Sequence, residues 1–303
     1  MTVRRIARGL DLVNFYWQRK VLGQSIPLLA SFKLTYRCNI NCQGCPFRLR
    51  NQEDNAHMSW EQATTSLREL RAAGTRIVVF EGGEPLIWRD GDHSINELVL
   101  YAKQLFPTVA VTTNGTLPLE VPADILWVSL DGLKERQDRL RSDSFDRVMD
   151  NLQRSTHPRL FIHFTMNKEN WRDLEGLLAL LSDIPVVKGT TVQLFYPYGQ
   201  GEAPLALSPA ERRAALETAL RLKGAYPILN SRSTLRAMIK NDWVCHSDIL
   251  INADPSGEIT KGCYVRNRGH INCRDCGFTP VAEASGALDL HSGSLWAGCR
   301  IFL

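Results

Sequence analysis

Cys38-Asn39-Ile40-Asn41-Cys42-Gln43-Gly44-Cys45 places three thiols on one octapeptide in the spacing C-x3-C-x2-C. It follows directly on Leu34-Thr35-Tyr36-Arg37, an alternating run that reads as the end of a strand. Three soft thiolates on one loop suit an iron–sulfur cluster, and three rather than four leave one iron without a protein ligand. Chemistry would begin at that open iron. The competing readings are a zinc knuckle and chance clustering, but a structural zinc takes a fourth ligand close by, commonly from a second C-x2-C unit. After Cys45 the next cysteine is Cys245.

Composition sets the frame around this loop. The chain has 303 residues, 44% of them hydrophobic and 22% charged, the balance of a globular protein that buries a core. That length holds one large α/β domain with a small appendage. A net charge of +4, with the basic residues spread along the chain, argues against a nucleic-acid partner. No apolar run reaches the roughly 18 to 20 residues that cross a bilayer, and no signal peptide opens the chain, so a cytoplasmic location is expected. In that compartment eight cysteines read as metal ligands rather than disulfides. They fall into two groups: Cys38, Cys42 and Cys45, then Cys245, Cys263, Cys273, Cys276 and Cys299.

Before the loop, Ile6, Leu10, Val13 and Trp17 recur at helical spacing among Arg4, Arg5, Arg8, Arg19 and Lys20. Such a basic amphipathic helix is expected to pack on its own domain; contact with a membrane surface or lipid substrate is the sharper alternative. Ile26 to Tyr36 reads as the first strand. Ser59 to Gln62 forms a capping box for a helix ending at Gly74, and Ile77 to Phe80 is a short strand that runs into Glu81-Gly82-Gly83-Glu84-Pro85. Paired glycines at a strand end let backbone pass close to a ligand, and proline stiffens the exit. Strands follow at Val109 to Thr113, Ile125 to Leu130, Leu160 to Thr165 and Thr191 to Phe195, with helices between them. This alternation predicts parallel βα units whose ligands gather at the carboxyl ends of the strands. Asn114-Gly115 and Asp131-Gly132 sit at two such ends, where turn chemistry is the plain alternative to ligand binding. His163, alone among apolar neighbours, reads as an interior residue rather than a catalyst.

Taken together, C-x3-C-x2-C, Gly82-Gly83-Glu84-Pro85, Thr112 to Gly115 and Val128 to Gly132 resemble, in order, the motifs of the radical S-adenosylmethionine (radical SAM) superfamily. The resemblance implies a partial (β/α)6 barrel of TIM type. Cys38, Cys42 and Cys45 would hold a [4Fe-4S] cluster whose fourth iron is chelated by SAM. Gly82, Gly83, Glu84, Pro85, Asn114, Ser129 and Asp131 would surround SAM. One departure stands out: most members carry an aromatic residue just before the third cysteine, against adenine, where this chain has Gly44. Phe47 or Tyr196 is expected to take that place. A glycine here also occurs in hopanoid-adenosylating members.

The second cysteine group frames Ile249 to Thr260, two short strands about an Asp254-Pro255-Ser256-Gly257 turn. A hairpin brings Cys245 and Cys263 together, and Cys273-Arg274-Asp275-Cys276 adds a close-range pair; four thiolates suit either a [4Fe-4S] cluster or zinc. The spacing resembles the auxiliary-cluster module called SPASM, or its shortened form twitch, which implies one auxiliary [4Fe-4S] cluster. Cys263 lies six residues after Gly257 where the pattern has five, and Cys299 is left over. The expected domains are 1–30, a helical lead-in; 31–241, the barrel; and 242–303, the auxiliary module. The lead-in is too short for the leader-binding domain of many peptide-modifying relatives. The expected function is C–H activation or radical addition on a small-molecule or lipid intermediate, with flavodoxin or ferredoxin as electron donor. Tyr196, Tyr198, Arg266, Arg268 and His270 are the candidate substrate contacts. A peptide-modifying SPASM-type enzyme and a non-catalytic zinc scaffold are the alternatives.

Overall fold

Leu29-Ala-Ser-Phe-Lys-Leu-Thr35 forms strand β1 (Leu29–Thr35), and five further strands lie parallel to it. These are β2 (Ile77–Gly82), β3 (Thr108–Thr113), β4 (Ile125–Ser129), β5 (Leu160–Met166) and β6 (Val187–Leu194), ordered in space as in sequence. The computed structural model describes residues 3–50, 53, 56–199, 201–265 and 272–303, with side chains described from Ile6 onward. Arg4 and Arg5 therefore enter only as helix backbone, and Arg266, Arg268 and His270 lie outside the described residues.

Alternation along each strand sends the two sets of side chains to opposite faces. Phe32, Leu34, Val78, Phe80, Val109, Val111, Leu126, Val128, Ile162 and Phe164 join the core beneath the outer helices. Ile77, Val79, Ala110, Ile125, Trp127 and Phe161 form a second cluster on the inner face. The outer helices are α2 (Trp60–Ala72), α3 (Ile95–Leu105), α4 (Lys134–Leu140), α5 (Phe145–Arg154), α6 (Leu174–Ser182), α7 (Pro209–Leu222) and α8 (Arg232–Lys240). Capping boxes at Ser59/Gln62, Ser94/Glu97 and Ser208/Glu211 start three of them, each stabilising by about 1 kcal/mol.

Both edges of the six-stranded barrel sheet are extended by other segments. The hairpin of β7 (Leu250–Ala253) and β8 (Ile259–Lys261) continues it: β7 pairs in parallel with β1, Leu29 opposite Leu250 and Phe32 opposite Ala253, and β8 runs antiparallel outside. At the other edge the Asn230 amide substitutes for a strand, accepting from Val192 N at 2.8 Å and donating to Val192 O at 3.0 Å. Two further helices, α9 (Thr279–Leu288) and α10 (Ser292–Phe302), have no counterpart in the sequence reading. The end of α10 plugs the barrel floor, Phe302 meeting Trp127 at 6.1 Å between ring centroids.

Helix α1 (Val3–Lys20) packs on its own domain, but through the face opposite to its apolar stripe. Arg8 pairs with Asp124 at 2.6 Å and donates to Pro107 O at 2.8 Å; Asp11 pairs with Arg76 at 3.0 Å and Arg19 with Asp248 at 2.7 Å. Phe15 is buried in an apolar cluster that includes Ile249, Leu250 and Phe278. The ends of the barrel strands offer charge at this place, and the helix meets it with charge. Ile6, Leu10, Val13 and Trp17 consequently face outward.

Candidate active site and auxiliary thiolate site

The carboxyl ends of β1 to β6 open into a cavity of about 770 Å³ lined by Cys38, Cys42 and Cys45. The loop bearing the thiols carries no regular structure, so its shape comes from braces supplied by other strands. Asn114, after β3, donates to Asn39 Oδ1 at 2.8 Å and to Cys38 Sγ at 3.6 Å, while Asn39 donates to Thr116 Oγ1 at 2.8 Å. From the α4–α5 turn, Ser142 Oγ accepts from Asn41 N and donates to Asn41 O, both at 3.0 Å, and Leu140 O accepts from Gln43 N at 2.8 Å. Burial pushes the Cys38 and Cys42 thiols up to about 11 and raises Cys45 in the same direction. Such thiols ionise when a metal takes the proton's place.

Gly82 and Gly83 are set by close approach. A Cβ on Gly82 would stand 2.4 Å from Thr35 O, and one on Gly83 2.1 Å from Arg37 O. Their backbone lines the cavity. Glu84 and Pro85 stand behind that wall instead of in it. The fully buried Glu84 carboxylate accepts from Leu86 N at 2.9 Å, Thr113 Oγ1 at 2.8 Å and Asn114 N at 2.7 Å, which ties the glycine turn to the end of β3.

Ser129 and Asp131 both line the cavity, with different commitments. Asp131 accepts from Thr165 N at 2.7 Å and from Arg141 Nε at 2.6 Å, so its carboxylate is a brace between two strand ends. Ser129 turns its hydroxyl into the cavity with no protein partner among the described residues. Arg141, held by Asp131, reaches Cys42 Sγ at 3.8 Å. Nothing in the sequence pattern marks this arginine: it follows a short helix in an ordinary turn.

The expected aromatic neighbours of adenine also part ways. Phe47 lines the cavity with one face already stacked on Tyr36, 5.3 Å away at 17°. Tyr196 lines it too, with its hydroxyl accepting from Asn272 N and donating to Asn272 O. The residue that occupies the space left by Gly44 is Phe195: a Cβ at position 44 would lie 2.7 Å from Phe195 Cε2, and Gly44 has φ +75°. An aromatic ring thus stands against Gly44 from just beyond the end of β6, a neighbour no local pattern reveals. Below the thiols the wall is polar, with Glu81, Thr112, His163, Thr165 and Gln193; His163 Nδ1 lies 3.2 Å from Thr191 Oγ1.

Cys245, Cys263, Cys273 and Cys276 line one second cavity of about 500 Å³. Burial first, then the nearby Cys263, Cys245 and Cys273 thiols, pushes Cys276 up to about 11. Gly262 N donates to Leu250 O at 2.8 Å, which carries the hairpin ladder up to the residue before Cys263. Arg212 holds the Cys273–Cys276 segment from α7, donating to Cys276 O at 2.8 Å, Asp275 O at 3.1 Å and Asn241 Oδ1 at 3.1 Å. Asn241 in turn donates to Arg274 O at 2.6 Å. Tyr196 lines both cavities. Cys299 is exposed on α10 and is not among the residues lining either cavity. Among the described residues no three Cys, His, Asp or Glu side chains stand in the arrangement of a single-ion site.

Comparison with known proteins supports the geometry. The sequence model of the Radical SAM superfamily matches residues 32–181. Fe-coproporphyrin III synthase of Methanosarcina barkeri is 29% identical over 203 residues, 62% of this chain and 50% of that protein, so the chain spans half its length. AdoMet-dependent heme synthase of the same organism is 24% identical over 91% of this chain and 84% of its own. Streptococcus suis SuiB, solved with its precursor peptide SuiA, superposes with a TM-score of 0.65 over 97% of this chain and 70% of SuiB, at 16% identity, which speaks to the fold alone.

Proposed function

Residues 32–181 place this chain in the radical SAM superfamily, and from that premise we propose that its two thiol sets serve two [4Fe-4S] clusters of one enzyme acting on a small polar biosynthetic intermediate. The observation that carries the reading is the convergence of Cys38, Cys42 and Cys45 with the Gly82-Gly83 backbone, the unpartnered Ser129 hydroxyl and Arg141 on one cavity. SAM and a [4Fe-4S] cluster, when bound together, supply one-electron reductive cleavage of the sulfonium to methionine and a 5'-deoxyadenosyl radical.

The chain's own residues then have separable tasks. Cys38, Cys42 and Cys45 hold the cluster and leave one iron to SAM. The Gly82-Gly83 backbone and Ser129 meet its amino-acid end, Arg141 offers a cation for its carboxylate, and Asp131 aims Arg141. Phe195 takes the adenine face that Gly44 leaves open. Cys245, Cys263, Cys273 and Cys276 hold the auxiliary cluster, with Tyr196 on the wall of both cavities. Four protein thiolates would leave such a cluster no open iron, so it would supply electron transfer rather than substrate binding. Flavodoxin or ferredoxin fits the role of electron donor.

The polar wall of Glu81, Thr112, His163, Thr165 and Gln193 bears on the substrate. An apolar chain pressed against it would strip water from polar side chains without replacing it, so the part of the substrate that meets the radical carries hydrogen-bonding groups. A lipid would present its head group there, not its tail. The two heme-pathway relatives make a tetrapyrrole the first substrate to try; the fold of SuiB keeps a peptide as the second reading.

Anaerobic purification with iron and sulfide counting tests the reading, together with release of 5'-deoxyadenosine from SAM and dithionite. About eight irons per chain are expected for two cubane clusters. Zinc without sulfide would replace the enzyme with a metal scaffold. Release of 5'-deoxyadenosine that survives replacement of Cys38, Cys42 and Cys45 by Ala would remove the loop from the chemistry.

A further inference from the structure

Each of the three loop thiols receives a hydrogen bond from a different kind of donor. Asn114 Nδ2 donates to Cys38 Sγ at 3.6 Å, Phe47 N to Cys45 Sγ at 3.4 Å and Arg141 Nη1 to Cys42 Sγ at 3.8 Å. A side-chain amide and a backbone amide are neutral. The third donor is a guanidinium, brought to the loop from 99 positions along the chain.

This cation is enclosed and aimed. The Arg141 side chain is 17% exposed, and away from water a charge acts more strongly on its neighbours. Its Nε donates to Asp131 Oδ2 at 2.6 Å, while Asp131 Oδ1 accepts from Thr165 N at 2.7 Å, so the carboxylate is shared between two donors. Nη1 faces the sulfur, and Nη2, without a protein partner among the described residues, stays available to the carboxylate of SAM. The two tasks use different nitrogens. Asp131 does not cancel the cation at the loop: burial acts first on Cys42 and raises its thiol, Arg141 is the strongest influence the other way, and it outweighs the upward push of Asp131.

Reduction of an iron–sulfur cluster adds one negative charge to the irons and their thiolates. Hydrogen bonds to the ligand sulfurs and nearby positive charge both favour that more negative state, and so set the potential. We propose that Arg141, acting through Cys42 Sγ, raises the reduction potential of the cluster on Cys38, Cys42 and Cys45. The electron donor, flavodoxin or ferredoxin, is oxidised by one electron as the cluster gains it, and the guanidinium eases that transfer. The inference rests on the reading of this loop as a cluster site. It is separate from the contact of Arg141 with SAM, because it holds with SAM absent.

Anaerobic redox titration of the full iron-loaded chain, without SAM and followed by electron paramagnetic resonance, tests it. One wave is expected per cluster, and the loop wave is the one missing when Cys38, Cys42 and Cys45 are replaced by Ala. Arg141→Met should make reduction of the loop cluster at least tenfold less favourable, a fall in midpoint of about 59 mV or more, with the auxiliary wave unmoved. Asp131→Asn, which removes the opposing carboxylate and keeps an oxygen acceptor, should move the loop midpoint up, an opposite sign that a merely structural role would not produce. A loop midpoint unchanged by Arg141→Met, or both waves moving together, overturns the proposal and leaves the cluster reading intact. Should Arg141→Met lose the loop iron, Asp131→Asn decides alone, and a midpoint that does not rise overturns the proposal. A wild-type chain without an iron–sulfur signal from the loop overturns the cluster reading and this proposal with it.

Discussion

Gly44 and Phe195 form a pair whose coupling can be measured. Placing Ala at position 44 demands φ +75° of a residue with a Cβ, which costs about 1–2 kcal/mol, and sets that Cβ 2.7 Å from Phe195 Cε2 and 3.1 Å from Leu205 Cδ1. Overpacking of this kind adds about 1–3 kcal/mol. Gly44→Ala should therefore destabilise the protein by about 2–5 kcal/mol, read as the urea midpoint at unchanged slope. Phe195→Ala removes the ring that is struck. In the double variant the clash disappears and only the backbone strain remains, so the cycle should return a coupling of about 1–2 kcal/mol. Phe195→Ala alone reports on adenine. Stacking of a base on an aromatic ring is worth about 1–3 kcal/mol, hence a 5- to 100-fold rise in the Kd for SAM measured anaerobically on the iron-loaded protein. Zero coupling would show that the ring does not fill the space above Gly44. An unchanged Kd would show that it is not the adenine face, whatever the coupling.

Arg141→Met should raise the Kd for SAM at least tenfold and lower stability by about 3 kcal/mol, because Asp131 loses a buried cation; iron bound by the cluster loop should stay, and its loss would make Arg141 a brace for the loop instead. Burial pushes Glu84 up to about 7 from 4.5 against the opposing pull of Asn114 N, Leu86 N and Thr113. An acid raised in the fold contributes stability that is present below pH 4.5 and lost as pH climbs to 7, about 3 kcal/mol at 1.36 kcal/mol per unit. Glu84→Gln, which cannot ionise, should gain on the wild type across that window, and a Tm difference that stays flat from pH 4.5 to 7 would refute the shift. Arg212→Met removes the donor that holds Asp275 O, Cys276 O and Asn241, so iron should fall from about eight toward about four per chain with release of 5'-deoxyadenosine retained; a full iron count would show that the Cys273–Cys276 segment keeps its shape unaided.

The sequence reading reached furthest where the chemistry is local. The capping box at Ser59 binds backbone groups three residues away, so its partners are in view along the chain. The same holds for Gly82-Gly83, where two side chains had to be absent. It failed for side chains whose task depends on a distant neighbour. Glu84 reads as a ligand contact until Thr113 and Asn114 are seen to occupy it, and the α1 stripe reads as a buried face until Asp124 and Asp248 are seen to claim the other side. Amphipathic spacing predicts a face, and only the surface it meets decides which face is bound.

By itself, then, the order of residues determined that six parallel strands carry their loops to one end and that three thiols open the first of those loops. Periodicity and spacing suffice for this, because each depends on residues a few positions apart. Tertiary structure alone decided what surrounds the thiols: Arg141 beside Cys42, Phe195 in the space of Gly44, Tyr196 on the wall of both cavities and the β7–β8 hairpin continuing the barrel sheet. Each of those contacts joins residues about a hundred or more positions apart or strands from opposite ends of the chain, and they become neighbours only once the sheet has curved.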